Sequence, residues 1–149
     1  MTVEQDVQRF KMELLRKMPF YGDIVVRLSF ESNYNIETAC TNGLKVYYNP
    51  DFFKELTQGE RYFILLHEVF HVILMHCRRG IQRDPRIWNT ACDIIVNQML
   101  TQMRTHMNVA GIPFTRPQSG IFARISGDMT KERMMYFCEN TKKKKKWKN

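Results

Sequence analysis

The sequence predicts a single α+β domain with a small sheet, one long helix and an antiparallel return helix. The chain has 149 residues, of which 44% are hydrophobic and 26% are charged, and this size and composition suit one domain with a buried core. Strand-like runs and an Asn-Gly turn are confined to residues 23–48. Helical spacing and helix-start signals dominate residues 57–103. We therefore expect one domain over residues 1–141 and a disordered lysine-rich tail over residues 142–149.

The first part of the chain is predicted to form a helix, a small sheet and a short second helix. Apolar residues recur at helical spacing from Val3 to Met18. Asn42 and Gly43 favour a hairpin turn because both tolerate a positive φ. The predicted elements are a helix over residues 3–18 that Pro19 ends, strands over residues 23–30, 36–40 and 44–48, and a helix that begins at Pro50, where proline suits the first position.

Two long helices are predicted next. Thr57 and Glu60 have the spacing of a capping box, and Gly80, preceded by two arginines, favours a helix end. Asp84 and Pro85 suit the N-cap and first position of the following helix. The predicted elements are a helix from residue 57 to about Cys77, a helix from residue 85 to about Met103, an irregular loop over residues 104–127 and a short helix over residues 130–139.

The positive charge is concentrated at the end of the chain. The formal net charge is +8, but residues 1–141 hold 17 Lys and Arg against 15 Asp and Glu, a net charge of +2. This near-neutral body excludes a nucleic-acid-binding face that covers the whole domain. The tail from Lys142 to Lys148, with Trp147, could contact phosphates and stack on a base, although a run of like charge more commonly forms a solvated, disordered tail.

The cysteines and the apolar runs indicate a cytoplasmic protein. The longest uninterrupted apolar runs are far too short to span a bilayer, and the N-terminus lacks the features of a signal peptide. The four cysteines lie far apart without a C-x-x-C pair, so we expect reduced thiols. They are Cys40, Cys77, Cys92 and Cys138.

His67, Glu68 and His71 form an H-E-x-x-H pattern on the first long helix. Residues four apart lie about 40° apart around a helix axis, so both imidazoles can reach one metal ion. Glu68 points about 100° away from His67, close enough to act on a water molecule without binding the metal. A chance match and histidines satisfied by neighbouring groups are the alternatives. The almost wholly apolar sequence around the motif counts against a chance match, because ionisable groups are rarely buried unless they are paired or bind a metal, and the second alternative stays open.

The return helix offers a third metal ligand. Asn89, Asp93 and Asn97 form a polar stripe at a spacing of four residues. If the link over residues 78–84 folds this helix back antiparallel, Asp93 arrives level with the two histidines, at a rise of about 1.5 Å per residue. Asn89 and Asn97 would then orient the ligands from one turn on either side. The alternative for Asp93 is a buried carboxylate bonded to arginine or backbone.

His76 is the rival third ligand. It lies nine residues after His67, on about the opposite side of a straight helix, so it reaches the metal only if the helix breaks before it. Otherwise we expect it to cap the helix end or to lie at the edge of the cleft.

These residues resemble a known family. The stretches over residues 67–76 and 88–97, with the predicted hairpin before them, resemble the zinc metallopeptidase domain that occurs beside von Willebrand factor A-like domains in bacterial and phage proteins. The resemblance covers about residues 3–138. We expect the von Willebrand factor A-like partner to be missing, since the sequence stops after the peptidase-like part.

The resemblance implies a zincin-like fold in which the edge strand of the hairpin follows the cleft. It also implies one Zn²⁺ bound by His67 and His71 with Asp93 as third ligand, and Glu68 as the catalytic acid and base. We therefore expect hydrolysis of a protein or peptide substrate, in which zinc lowers the pKa of its water and Glu68 transfers the proton to the leaving amine.

Two points stay open at the level of the sequence. The strand over residues 44–48 could bind the substrate backbone at the sheet edge, and Tyr47, Tyr48 and His76 are the candidate donors to the transition state. The alternative function is a non-catalytic module, such as a phage or accessory factor, that binds a protein partner and keeps the metal as a structural element. A nucleic-acid-associated role through the lysine tail is the third possibility.

Overall fold

The computed structural model describes residues 2–118 of the chain. The predicted helix over residues 130–139 and the lysine-rich tail over residues 142–149 lie outside the described residues, as does the end of the expected domain at residue 141. The described part is a mixed α+β structure, so the predicted class is confirmed. Its elements are α1 (Val3–Lys17), α2 (Pro19–Arg27), β1 (Ser29–Ser32), β2 (Ala39–Thr41), β3 (Lys45–Tyr48), α3 (Pro50–Lys54), α4 (Gln58–Ile73), α5 (His76–Arg79) and α6 (Pro85–Val109).

The strand predicted over residues 23–30 is wrong, because most of this segment belongs to helix α2. Pro19 ends α1 as predicted, but it also occupies the first turn of α2, where its fixed φ suits a helix. Gly22 allows α2 to fold tightly back onto α1, since a Cβ at this position would lie 2.2 Å from the Cα of Leu15. This packing buries Val25. Tertiary contact therefore overrides the β propensity of the segment, and the strand β1 starts only at Ser29.

The sheet has the order β1-β3-β2, with β1 parallel and β2 antiparallel to β3. The predicted hairpin is confirmed, and Gly43 adopts a φ of 91° in its turn. Its return strand β3 is central, however, because Tyr47 pairs with Glu31 on one side and with Cys40 on the other. The edge strand of the hairpin is β2, and it is buried.

Helix α4 is the central element of the core. It begins with the predicted capping box between Thr57 and Glu60. It packs chiefly against β2 and the antiparallel helix α6. Residues of α1, α3, α4 and α6 form one hydrophobic cluster, whose largest fully buried side chains include Phe10, Phe53, Tyr62, Phe70, Leu100 and Met107.

The ends of the two long helices differ from the prediction. Helix α4 ends at Ile73 rather than near Cys77, because Met75 adopts the left-handed conformation with a φ of 55° and the chain restarts as α5. Helix α6 starts at Pro85 behind the Asp84 cap, as predicted, and continues six residues beyond Met103 to Val109. No helix within residues 2–118 is long and apolar enough to cross a membrane.

Candidate metal centre

Helix α4 presents the H-E-x-x-H residues at the boundary with α6. His67, Glu68 and His71 are all buried, and Glu68 is 0% exposed. Each offers one ligand atom, and the three atoms lie within 4.8 Å of one another. The i, i+4 spacing places both imidazoles on the same side of the helix, as the motif predicts.

Asp93 of α6 completes a tight triangle of donor atoms with the two histidines. Its Oδ1 lies 3.3 Å from Nε2 of His67 and 3.0 Å from Nε2 of His71. The two Nε2 atoms are themselves 3.0 Å apart. The antiparallel arrangement of α4 and α6 therefore brings together the three residues that the sequence nominates as ligands.

The triangle has the chemistry and the dimensions of a metal site. A four-coordinate ion with bonds of about 2.0 Å separates its ligand atoms by about 3.3 Å. Only one of two facing imidazole nitrogens can carry the proton of a hydrogen bond between them, whereas a cation accepts a lone pair from each. The residues present thus fit a bound metal ion.

The outer nitrogens of both histidines have partners of their own. Nδ1 of His67 donates a hydrogen bond to Oδ1 of Asn97 over 3.1 Å, which leaves Nε2 with its lone pair toward the triangle. Nδ1 of His71 lies 2.9 Å from Nδ1 of His76. Such contacts fix the tautomer and the plane of an imidazole before a ligand arrives.

His76 reaches this position because the helix breaks before it. The turn at Met75 brings the buried His76 beside His71, yet it meets the outer nitrogen of that ring rather than the triangle of donor atoms. Trp88 holds the segment from α6, since its indole Nε1 donates to the carbonyl oxygen of His76 over 2.8 Å. The two rings are in edge-to-face contact at 6.0 Å.

Asn89 lies one turn before Asp93 and is buried. Its Nδ2 has no hydrogen-bond partner within residues 2–118. A buried donor without a partner costs about 1–3 kcal/mol, so this position, unlike that of Asn97, is incomplete in the described structure.

The structure does not support the substrate role predicted for the strand over residues 44–48. Because β3 pairs on both sides, it offers no free edge to a substrate backbone. Tyr48 is directed into the hydrophobic core, where its ring lies 5.4 Å from that of Phe53 and burial raises the pKa of its hydroxyl. Tyr47 lies on the other face of the strand, between Glu31 and Cys40. Of the three candidate donors, His76 is the one in contact with a histidine of the triangle.

Comparison with known protein families gives a match that includes all of the described residues. Residues 2–126 match the family described as "Putative metallopeptidase domain". The chain belongs to this family. A metallopeptidase requires a metal ion, and the cluster on α4 is where the described residues could hold one.

A relative in Thermotoga maritima, described only as an uncharacterized protein, is 24% identical over 110 residues. The aligned region covers 69% of this chain and 28% of the relative, so the chain spans less than a third of that protein. No solved structure matches the chain.

Sequence reasoning assigned no role to Trp88 or to the turn at Met75. The one hint at Trp88 is the glycine at position 80. A Cβ there would lie 2.3 Å from the indole ring, so the ring needs a glycine opposite it. No comparable signal marks Met75, since methionine is not a residue that favours a positive φ.

Proposed function

We propose that the protein is a zinc-dependent peptidase of zincin-like fold. The observation that supports this best is the convergence of three donor atoms from His67, His71 and Asp93, with Glu68 beside them. Two imidazoles and one carboxylate are a ligand set that leaves the fourth position of a zinc ion open for catalysis.

In this proposal, His67, His71 and Asp93 hold one zinc ion per chain. When bound, zinc would act as a Lewis acid on the substrate carbonyl and would lower the pKa of a water molecule. Asn97 and His76 keep the two imidazoles in the orientation that binding needs. Asn89, with its Nδ2 still lacking a partner, would complete its hydrogen bonding in the loaded site.

Glu68 is the proposed catalytic acid and base. Its ligand atom lies within 4.8 Å of those of both histidines, but its place next to His67 in the helix directs it away from the triangle. Its carboxylate would accept a proton from the attacking water and return it to the leaving amine. We further propose that His76, through its second ring nitrogen, donates to the substrate oxygen in the transition state.

The depth of the site favours one alternative. His71 is 1% exposed and Asp93 6% exposed, so a metal ion held between α4 and α6 would lie deep in the fold and could stabilise it. A metal-stabilised module that binds a protein partner is therefore the second candidate function. The lysine tail lies outside the described residues, and nucleic-acid binding gains no support from them.

The variant Glu68→Gln separates the two functions. It preserves the shape of the side chain while it removes the base, so the peptidase should retain zinc and the fold but lose about 10²–10⁴-fold in rate. Elemental analysis, thermal unfolding and cleavage of a quenched-fluorescence peptide library provide the three readouts. A variant that holds zinc and keeps its full cellular activity would favour the binding module.

A further inference from the structure

We propose that the corner between α5 and α6 recognises acidic side chains of the peptide substrate. The corner consists of Arg78, Arg79, Arg83 and Arg86, and we refer to it as the arginine corner. This proposal rests on the peptidase function proposed above and specifies the substrate class for the same site.

The arginine corner holds more positive charge than the rest of the body. Residues 78–86 contain four arginines and one aspartate, a local net charge of +3, whereas residues 1–141 as a whole carry +2. All four arginines are exposed. The remainder of residues 1–141 therefore carries a net charge of −1, so the excess positive charge of the body lies at this corner.

The arginine corner also differs from other parts of the structure in that its cations form no ion pairs with carboxylates of residues 2–118. Several cations elsewhere form ion pairs with carboxylates, namely Arg16, Lys17, Arg27, Lys45, Lys54 and Arg61. Within residues 2–118, no carboxylate lies in ion-pair distance of the arginine corner. Its one acidic neighbour, Asp84, instead caps α6 by accepting a hydrogen bond from the backbone N–H of Ile87. Arg79 donates a hydrogen bond from its Nη1 to the carbonyl oxygen of Leu74 over 3.0 Å, and a ligand with carboxylates would supply the corner with charged partners.

Trp88 holds two of these guanidinium groups in place. The Cζ atom of Arg79 lies 5.8 Å, and that of Arg83 5.2 Å, from the centre of the indole ring. A guanidinium over an aromatic ring is attracted to the face of the ring, and its N–H donors match a carboxylate. This contact thus reduces the conformational entropy that the Arg83 side chain would lose on binding.

The same tryptophan connects the corner to the metal centre. The ring of Trp88 lies 6.0 Å from that of His76, which lies 5.2 Å from that of His71. These distances limit the separation between the Arg83 guanidinium and the ring of His71 to about 16 Å, which an extended peptide spans in about five residues at ~3.3 Å per residue. An acidic side chain two to five residues from the cleaved bond would reach the corner.

The size of the corner favours a peptide over a nucleic acid. Four arginines at one corner match one or two carboxylates, whereas a nucleic acid requires a basic surface that follows many phosphates. The slightly acidic remainder of the body offers no such extension.

Binding of labelled peptides to the zinc-loaded full chain tests the proposal. Glu68→Gln serves as the parent, so that cleavage does not disturb the measurement. Two fluorescein-labelled decapeptides of equal length carry Glu or Gln at the second to fifth positions on both sides of a central Leu-Leu bond. We expect the Glu peptide to bind about tenfold more tightly in low salt, with the preference falling as salt is added.

The double variant Arg83→Glu/Arg86→Glu should abolish that preference, because it replaces two attractive charges by repulsive ones. Arg104→Glu is the matched control, since Arg104 is exposed on the same helix about 27 Å further along at 1.5 Å per residue and should leave the preference unchanged. Thermal unfolding and zinc content verify that each variant is folded and loaded.

Several outcomes would overturn the proposal. Equal binding of the two peptides, or a preference that survives the double variant, would show that the corner does not read acidic side chains. Competition by oligo(dT) as strong as that by the Glu peptide would identify a general polyanion surface instead. If the chain with Glu68 cleaves no peptide while the preference persists, the peptidase function fails and the recognition of acidic peptides stands.

Discussion

Two buried aspartates, Asp6 and Asp93, pack against helix α4, and their carboxylates have different kinds of partner. Asp6 of α1 is satisfied within the protein, because the guanidinium of Arg61 pairs with its Oδ2 and Gln58 Nε2 donates to its Oδ1 over 3.1 Å. Asp93 of α6 instead directs one oxygen at the Nε2 atoms of His67 and His71.

The contrast shows what distinguishes a structural carboxylate from a candidate ligand. Arg61 brings a permanent charge and also donates to the carbonyl oxygen of Phe53 over 2.7 Å, so this cluster is complete and ties α1 and α3 to α4. The atoms around Asp93 offer lone pairs that converge on one point. A cluster of donors suits an anion and a cluster of lone pairs suits a cation, so the second cluster is the one with the chemistry of a metal site.

The largest expected effect is on metal binding. Asp93→Ala should reduce zinc affinity by more than about 100-fold, because the loss of a ligand should exceed the 10–100-fold that supporting residues contribute. Asp6→Ala should leave the affinity unchanged. Competition with a chromogenic chelator measures both. A variant Asp93→Ala that keeps full affinity would remove Asp93 from the ligand set and return His76 to consideration.

The second effect concerns the stability of the protein without metal, where the loss of Asp6 should matter more than the loss of Asp93. Asp6→Ala should lower the free energy of unfolding by up to about 3–5 kcal/mol, since it leaves the charge of Arg61, whose side chain is 14% exposed, without its carboxylate partner. Asp23→Ala is the control, because its pair with Arg27 is exposed and should contribute less than about 1 kcal/mol. Urea unfolding in the presence of a chelator measures both values. Equal losses would show that burial of the Asp6 pair has little effect.

The third effect is a smaller loss of zinc affinity, expected when a residue that contacts one of the two histidine ligands is removed. His76→Ala and Asn97→Ala should each weaken zinc binding about 10–100-fold, because His71 or His67 would lose the contact that fixes its ring. His106→Ala controls for histidine in general, as His106 is exposed on α6. A loss for His76→Ala larger than that for Asp93→Ala would identify His76 as the ligand.

The smallest effect is expected from the tail. A chain that ends at Thr141 should match the full chain in zinc content and in melting temperature to within about 2 °C, because a run of like charge adds nothing to a core. Differential scanning fluorimetry and elemental analysis provide the test. A large drop in melting temperature would show that residues 142–149 pack against the body.

Much of the fold follows from short-range signals in the sequence. The capping box at Thr57, the Asn42-Gly43 turn, Pro50 and the Asp84-Pro85 pair each act within a few residues, and each marks the element that the structure shows. The depth of Asp93 was also predictable, because a constant helical rise and a short link fix which residues of two antiparallel helices lie level.

The tertiary structure decided what depends on distant partners. The segment over residues 19–27 is a helix because Gly22 packs on α1. Strand β3 is central because the earlier strand β1 pairs with the edge of β3 that the hairpin leaves open. The place of His76 depends on the turn at Met75 and on the Trp88 indole 12 residues further along.

By itself, the sequence determined the H-E-x-x-H helix, its antiparallel partner and the polar stripe that faces it, because helical periodicity and capping are local properties of a chain. Only the tertiary structure decided which nitrogen of His71 meets His76, which edge of the sheet is covered and where the arginine corner lies relative to the metal centre. These are relations between segments that the chain brings together through packing, and the free energy that fixes them comes from burial and from hydrogen bonds across the fold rather than from neighbouring residues.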